Sequence, residues 1–364
     1  MKKILYSLVI LALAAACGQD TFTLKGTVAE GETLPDNTYV YLVDGKTVLD
    51  SAAVVNGAFT LKAPADPTKL YTVCTDFRNR SPRDRSWICP LIAEKGSFKF
   101  IFCADQYETT IEGSALNDAY EELNGKLMDV YKDYSEKAQG LGDDAEEEIE
   151  ALYDETMGKI KDLSLEAIDK NPDNYIAMGA LRNIIYDLPL DELKAIIDKC
   201  GKFLKEDEST QSIIASKEAE ISTAEGCPFV DFAGKSPDGK DVKLSDYVGK
   251  GKWVLTDFWA SWCGPCMGEI PNIKKVFEDF EGEDFMVLGV AVWDGDNTKS
   301  AERMAERDMR WHQIFVGEDH TPTDSYGIVG IPTMILFAPD GTIYKRDGLR
   351  GKEMYPAVAA ALGK

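Results

Sequence analysis

Residues 253–271 read Trp253-Val-Leu-Thr-Asp-Phe-Trp-Ala-Ser-Trp-Cys-Gly-Pro-Cys-Met-Gly-Glu-Ile-Pro271, and this stretch predicts the fold of the last third of the chain. Its first seven residues are mostly apolar, β-branched or aromatic, which favours a short buried strand. Apolar residues then recur at helical spacing, at Ile270, Ile273, Val276, Phe277 and Phe280. The Cys-x-x-Cys pair, Cys263 and Cys266, therefore lies where a strand gives way to a helix.

This position suits a reactive cysteine. Unpaired backbone N–H groups and the positive end of the helix dipole favour an anion at a helix start. The anion here is the Cys263 thiolate, the form of cysteine that attacks disulfides. One alternative is half of a zinc site, but His312 and His320 are the only histidines, and no second ligand pair is visible. A buried structural disulfide is the other alternative, although a Gly-Pro tether is poor core material. The pattern indicates redox chemistry and no metal site.

On these residues the segment resembles the thioredoxin superfamily, and the C-terminal third is similar to its membrane-associated TlpA/ResA branch. The motif Trp262-Cys263-Gly264-Pro265-Cys266 matches the active site of that family, and Pro271 falls where its active-site helix is kinked. Asp257, six residues before Cys263, matches its buried acidic residue. Ile331-Pro332-Thr333 matches its cis-proline loop. The similarity covers roughly Ala224 to Lys364.

The resemblance implies a thiol–disulfide exchange enzyme. Cys263 is the expected nucleophile, Cys266 the resolving cysteine, and Asp257 the acceptor of the Cys266 proton. The expected substrate-binding residues surround the two sulfurs: Trp262, Gly264, Pro265, Ile331 and Pro332. No haem, dinucleotide or flavin motif is visible, so the expected redox group is the Cys263–Cys266 disulfide itself, with no other cofactor.

The N-terminus resembles an export signal. Residues 1–16 begin with two lysines, continue with a mostly apolar run and end on small alanines. Cys17 follows directly, as in a bacterial lipoprotein signal, where it is lipidated and becomes the mature first residue; the departure is Ala14, three places before it, in place of leucine. Ordinary secretory cleavage is the alternative. The expectation is a lipid-anchored protein of the cell envelope that faces the periplasm, on the outer rather than the inner membrane.

The net charge and the cysteine content limit the kinds of partner that the protein can bind. A formal net charge of -23 over 364 residues argues against nucleic acid, which binds through clustered lysines and arginines. The same charge argues against protein-mediated adhesion to anionic lipid, which leaves the lipid on Cys17 as the expected membrane tether. Besides Cys17 and the redox pair, five cysteines remain, an odd number whose pairing the sequence does not decide: Cys74, Cys89, Cys103, Cys200 and Cys227.

Residues 17–113 predict a small antiparallel β-sandwich. Short alternating runs recur, and Asn56-Gly57 between two apolar runs is typical of a tight hairpin turn. A similar β domain often precedes TlpA-like thioredoxins in Gram-negative lipoproteins. Four arginines between 78 and 85 form a basic stretch that we interpret as a solvated loop rather than a partner contact.

Residues 114–222 predict a helical region, with helices over 116–134, 149–168, 175–186, 190–199 and 209–221. Its apolar stripes favour packing; an alternative use is a homodimer or client-docking surface. Residues 223–364 predict an α/β thioredoxin-like domain, whose alternating strands and helices imply a sheet with parallel central strands, covered on both faces.

The functional expectation is an exported thiol-disulfide oxidoreductase that reduces protein disulfides, since Gly264-Pro265 resembles the reducing thioredoxins. By resemblance, its electrons come from a membrane thiol transporter. The sequence does not name the client: apocytochromes c, as in cytochrome c maturation, other periplasmic disulfides and oxidised cysteines all stay open. The alternatives are a disulfide oxidant or isomerase and a non-catalytic client-binding lipoprotein. A peroxidase is disfavoured because Thr256 is too far from Cys263 for the peroxiredoxin loop pattern.

Overall fold

The computed structural model describes residues 20–75, 88–103, 108–141 and 145–364. Cys17, the export signal and the arginines at 78–85 lie outside these residues. The chain divides into two compact units, one extending to Asp207 and the other spanning Glu208–Lys364. Among the described residues, no helix combines the length and apolarity needed to cross a membrane.

The first unit begins with eight strands in two sheets. The strands are β1 Thr21–Val28, β2 Tyr39–Asp44, β3 Thr47–Ala53, β4 Ala58–Pro64, β5 Asp66–Cys74, β6 Ile88–Ala93, β7 Gly96–Phe102 and β8 Thr110–Glu112. One sheet has the order β4-β1-β7-β8 and the other β3-β2-β5-β6. Apolar side chains from both sheets, such as Phe22, Leu42 and Phe100, share one buried core. This arrangement confirms the predicted sandwich, because alternating residues of each strand face the opposite sheet.

Two features of the sandwich differ from the expectation. Strand β1 runs parallel to β7, while its other neighbour, β4, is antiparallel to it. Asn56 and Gly57 do form a tight turn, both with positive φ, closed by backbone hydrogen bonds between Val55 and Ala58. That turn leads from β3 in one sheet to β4 in the other. It therefore joins the two layers instead of two strands of one ladder.

Helices complete the first unit: α1 Ala115–Gln139, α2 Glu146–Lys170, α3 Tyr175–Arg182, α4 Leu190–Lys199 and α5 Lys202–Lys205. Four match the predicted helices within a few residues, and α5 is new. Buried Asn117 fixes the start of α1 against β6, because its side-chain amide accepts from the backbone N–H of Ile92 at 2.8 Å and donates to the carbonyl of Ile92 at 3.1 Å. Ser114 caps the helix from the same corner.

The second unit is a seven-stranded sheet with helices. Its elements are α6 Glu208–Ser222, β9 Ala233–Lys235, β10 Asp241–Lys243, β11 Trp253–Trp259, α7 Gly264–Phe280, β12 Phe285–Val292, α8 Asn297–Glu306, β13 His312–Gly317, α9 Thr321–Ser325, β14 Thr333–Phe337, β15 Ile343–Lys345 and α10 Met354–Ala361. The strand order is β10-β9-β13-β12-β11-β14-β15. Strands β11, β12 and β13 are parallel to one another, and β14 is antiparallel to β11.

Both faces of this sheet are buried, as the sequence predicts. Side chains of α7 and α10, such as Ile273 and Val358, cover one face. The other face packs against the segment around Phe232 and Val248 and against Tyr326. Central strand β12 is buried along its whole length, which explains its uninterrupted apolar sequence.

Helix α6 belongs to this second unit, although its sequence pattern continues the helical region. Arg346, after β15, donates to the carbonyl and hydroxyl oxygens of Thr223 at 3.0 and 2.7 Å, and to the carbonyl of Tyr326 at 2.7 Å. Gly327 lies against the helix backbone, and an added Cβ would come within 2.8 Å of the Glu220 nitrogen. The end of α6 is therefore held directly against the sheet domain.

Candidate functional site

The redox pair lies at the junction between β11 and α7. Cys263 is the N-cap of the helix and Pro265 occupies its first turn, a position where proline has no hydrogen bond to lose. Cys263 and Cys266 form the only disulfide among the described residues, with their Cα atoms 5.3 Å apart. The backbone N–H of Cys266 donates to the Cys263 sulfur at 3.1 Å. The helix start therefore offers a donor to the sulfur that the sequence identifies as the nucleophile.

The proline loop faces this disulfide. The Ile331–Pro332 peptide bond is cis, and the carbonyl oxygen of Ile331 lies 3.8 Å from the Cys263 sulfur. Both sulfurs are largely covered, and Cys266 is the deeper of the two. Trp262, by contrast, has 63% of its surface exposed. The structure thus brings the two cysteines and the loop together, with Trp262, Gly264 and Pro265 on the rim.

Asp257 lies beneath the helix in the middle of β11, with only 1% of its surface exposed. Neither of its carboxyl oxygens has a hydrogen-bond partner among the described residues. Burial is the main cause that raises the pKa of Asp257 to about 7. The nearby Glu269 carboxylate also raises this pKa, and the Arg350 guanidinium lowers it. A carboxyl group with this pKa exchanges its proton near neutral pH.

Two further residues reach this site that the sequence reasoning missed. Glu269, one helical turn after Cys266, accepts from the backbone N–H of Gly351 at 2.9 Å. Arg350 donates to the carbonyl oxygen of Pro332. The helical spacing from Cys266 could have identified Glu269, whereas no local pattern marks Arg350, which arrives from the connection between β15 and α10.

A buried carboxylate fixes the loop before the nucleophile. Asp294, after β12, accepts from the backbone N–H of Ser261 at 3.0 Å and from its hydroxyl at 2.7 Å. The hydroxyl of Ser300 donates to the same carboxylate at 2.6 Å. The neighbouring Trp262 indole N–H donates to the carbonyl of Trp293 at 3.2 Å. These contacts hold the loop that presents Cys263.

A groove of about 730 Å³ opens beside the proline loop. Its walls include exposed Val329 together with Ile331 and Met334, and, from the connection after β15, Leu349 and Arg350. This groove offers an extended polypeptide a surface of mixed polar and apolar character next to the disulfide, with backbone groups of the loop at its edge.

The thiols of Cys89 and Cys200 lie in a different environment from the redox pair. Burial raises the pKa of Cys89 to about 12, and burial also raises the pKa of Cys200. A thiol with a raised pKa stays protonated and reacts poorly. Cys89 and Cys200 are therefore poor candidates for thiol–disulfide exchange.

Comparisons with protein families divide the chain in a similar way. Residues 226–346 match the AhpC/TSA family, and residues 19–120 match a domain of unknown function, DUF4369. The first match contains the redox pair, Asp257 and the proline loop. The second covers the β-sandwich and the start of α1.

Individual proteins resemble the C-terminal part. Thiol-disulfide oxidoreductase ResA of Geobacillus kaustophilus is 30% identical over 124 residues, which are 34% of this chain and 69% of that protein. ResA of Geobacillus thermodenitrificans is 29% identical over 126 residues, 35% of this chain and 70% of its own. Among solved structures, the thioredoxin domain of a thiol-disulfide oxidoreductase from Bacteroides vulgatus is 32% identical, with 38% of this chain and 96% of that chain covered and a TM-score of 0.35.

Proposed function

The chain belongs to the ResA-like thiol-disulfide oxidoreductases, and from this premise we propose that it reduces protein disulfides in the cell envelope. The observation that carries the proposal is the Cys263–Cys266 disulfide at the start of α7, beside the proline loop and above a buried acid. Protein clients follow from the family; the direction of electron flow and the compartment are our proposals.

The reaction begins with the reduced pair. The Cys263 thiolate, favoured by the Cys266 N–H and the helix dipole, attacks one sulfur of a client disulfide and releases the other client sulfur as a thiolate, which takes a proton from solvent. A mixed disulfide now joins Cys263 to the client. The groove beside Ile331 holds the client strand during this step.

Release of the client requires the second cysteine. The Cys266 thiol gives its proton to the Asp257 carboxylate, and the resulting thiolate attacks the Cys263 sulfur. The Cys263–Cys266 disulfide forms, and the client leaves as a second thiolate that is then protonated. The client gains two electrons and the pair loses two, so an external thiol donor must restore the dithiol. Because the pKa of Asp257 is about 7, it can accept and return the proton near neutral pH.

The proposed direction of electron flow and the proposed cellular compartment rest on features of the sequence. Gly264-Pro265 between the cysteines resembles the reducing thioredoxins and supports a reductase, supplied by a membrane thiol donor. The export signal and Cys17 support a lipoprotein on the periplasmic face of the outer membrane. Candidate clients are apocytochromes c and other periplasmic disulfide proteins. No cofactor besides the redox disulfide enters the proposal.

The main alternative function is a peroxidase, because the matching family, AhpC/TSA, is broad. It requires a threonine hydroxyl beside the reactive cysteine. The hydroxyl of Thr256 is fully buried and donates to the carbonyl of Ile335 at 3.0 Å, within the sheet. This contact commits Thr256 to the sheet and favours disulfide exchange.

Trapping of the mixed disulfide tests the proposal. We expect Cys266→Ser to remain covalently joined to a model client disulfide through Cys263, because the resolving thiol is gone. Cys263→Ser is the matched control and should form no adduct. Failure of the Cys266→Ser protein to form any adduct with protein disulfides, while it reacts with hydrogen peroxide, would contradict the proposal.

A further inference from the structure

Four buried side chains of the second unit, Asp257, Asn297, Trp311 and Gln313, have polar atoms without a hydrogen-bond partner among the described residues, and two of them lie in one row of the sheet. Within the described residues, neither Asp257 carboxyl oxygen nor the amide nitrogen of Gln313 makes a hydrogen bond. Leaving a buried polar group unpaired costs about 1–3 kcal/mol, so such groups in a folded protein call for an explanation. Asp257 is a carboxyl group and Gln313 Nε2 is a donor, so the two are chemically complementary.

The sheet register aligns these two side chains. Asp257 on β11 pairs with Gly289 on β12, and Gly289 pairs with Gln313 on β13. Paired residues of neighbouring strands project to the same face at intervals of about 4.8 Å. Their neighbours at alternate positions, Trp259 and Phe315, belong to the core beneath α7. Asp257, Gly289 and Gln313 therefore form one row under the active-site helix.

Gly289 makes room in this row. A Cβ added there would lie 2.6 Å from Gln313 Nε2, so the amide occupies the space above the glycine. The φ angle of Gly289 is not positive, so its backbone conformation does not require glycine. The glycine instead allows the Gln313 amide to extend across β12 toward Asp257.

Trp259 fixes the orientation of that amide. Its indole N–H donates to Gln313 Oε1 at 3.0 Å. Because the indole can only donate, the atom that faces it is the amide oxygen, and the amide nitrogen remains available as a donor. Trp259 is fully buried and packs in the same cluster as Cys266, which links the row to the redox pair.

We infer that Gln313 is a positioning residue for proton transfer: its amide nitrogen donates to the Asp257 carboxylate through one enclosed water before the Cys266 proton arrives. The inference rests on the proposed role of Asp257 as the proton acceptor. A buried carboxylate needs a donor to persist at neutral pH, and a buried water needs two or more polar partners, which this row supplies. The charged groups that act on Asp257 are Glu269 on α7 and Arg350.

The test is a titration of Asp257 in the oxidised full-length protein, followed through the ¹³C resonance of its side-chain carboxyl group. Gln313→Met keeps the length of the side chain and removes the donor. Gly289→Ala keeps the amide and displaces it. We expect both variants to raise the pKa of Asp257 by about one unit, since each takes a donor from the carboxylate. Val287→Ala, a loss of packing on the same face of β12, is the control and should leave the titration unchanged.

The titration needs no turnover, so its outcome is independent of whether the protein reduces disulfides. An unchanged pKa of Asp257 in folded Gln313→Met or Gly289→Ala protein would overturn the inference and leave the proposed reductase intact. An equal shift in Val287→Ala would also overturn it, because general loosening would then explain the effect. As an activity readout, we expect the acidic limb of the pH profile for mixed-disulfide resolution to move upward by the same amount in Gln313→Met.

Discussion

Asp257 owes its altered acidity to its position on a central strand. Its carboxyl group is almost completely buried, and burial is the largest influence on its pKa of about 7. Glu269 and Arg350 act on it in opposite directions. The sequence identified Asp257 through its spacing from Cys263, but the two charged neighbours come together only in the folded chain, because Arg350 is 93 residues away along the sequence.

Replacing Asp257 by asparagine should change how stability depends on pH. The folded oxidised protein holds this proton up to about pH 7, whereas the unfolded chain loses it near pH 4. The contribution of this group to the free energy of unfolding is therefore fully present below pH 4. It falls by roughly 1.4 kcal/mol per pH unit as the pH rises toward 7. We expect urea unfolding of Asp257→Asn, followed by tryptophan fluorescence, to lack this decline; five of the six tryptophans lie after residue 208. Parallel pH curves for the two proteins would contradict the assignment.

Arg350→Gln should raise the pKa of Asp257, because it removes a positive charge near the carboxyl group. Loss of the guanidinium raises the pKa of Asp257 further, because the carboxylate loses its cationic neighbour. We expect the acidic limb of the pH–rate profile for resolution by Cys266 to move upward by up to about one unit. Lys352→Gln is the control, since it removes a nearby exposed charge. A profile that moves equally in both variants would show that overall charge, not contact, is responsible.

At the scale of elements, the active-site loop depends on a connection elsewhere in the sheet. Asp294 follows β12, the neighbour of β11, and its carboxylate accepts hydrogen bonds from the loop and from α8. Arg303 of α8 also donates to the Ser261 carbonyl at 3.0 Å. The nucleophile is thus presented by three elements: β11, the β12–α8 connection and α8.

Asp294→Ala should weaken catalysis while both cysteines remain intact. The substitution leaves the Ser261 and Ser300 hydroxyls without their acceptor, so the loop before Cys263 loses its fixed geometry. We expect kcat/KM for a protein disulfide to fall at least tenfold, on the order of 1.4 kcal/mol. The control is Asp296→Ala, which removes the side-chain N-cap of α8 but does not touch the loop. A similar loss of activity in the control would assign the effect to stability.

The predictability of the elements follows from their length and pattern. Helices α1 and α2 are each 25 residues long with a repeating apolar stripe, and both were predicted close to their observed bounds. Strand β13, short helix α5 and short helix α9 were missed, because few residues carry their pattern. Residues 228–232 contain a single bridge, from Pro228 to Thr342, and the first strand of the sheet begins only at Ala233. Tertiary contacts, not local sequence, decide such short segments.

The parallel pairing of β1 with β7 is likewise decided by tertiary contacts and not by local sequence. Alternating apolar and polar residues predict a half-buried strand. This pattern does not specify which strand will pair with it, or whether the two will run parallel or antiparallel. The partners are about 75 residues apart in the chain, so their pairing depends on the whole sandwich. For the site, motif spacing predicted the residues around the disulfide, whereas Arg350, Asp294 and Gln313 required the fold.

At the scale of the molecule, the redox chemistry resides in one unit. The redox pair, Asp257, the proline loop and Arg350 all lie in Glu208–Lys364, which is compact by itself. Helix α6 is part of that unit through Arg346 and Gly327. The sequence pattern had grouped this helix with the helical region, because an amphipathic stripe does not reveal which surface it will cover.

Two fragments test this division. Residues 208–364 should fold and exchange disulfides with a kcat/KM within about threefold of the full chain for a small model disulfide. Residues 223–364, which lack α6, should unfold at lower urea concentration, since Arg346 loses its hydrogen bond to the Glu220 carbonyl and Gly327 loses the helix backbone against which it lies. Both are measured by activity and by tryptophan fluorescence. Equal stability of the two fragments would show that α6 contributes nothing to the unit.

The most direct test of the central claim is the reduction potential of the Cys263–Cys266 pair, measured by equilibration of the full-length protein with thiol buffers. The proposed reductase requires a value near that of thioredoxin, about −270 mV, where the dithiol can pass two electrons to a client. A difference of about 30 mV corresponds to roughly 1.4 kcal/mol for this couple, so the outcomes are well separated. A value near the roughly −120 mV of a strong periplasmic oxidant would contradict the account and make disulfide formation the function of this site.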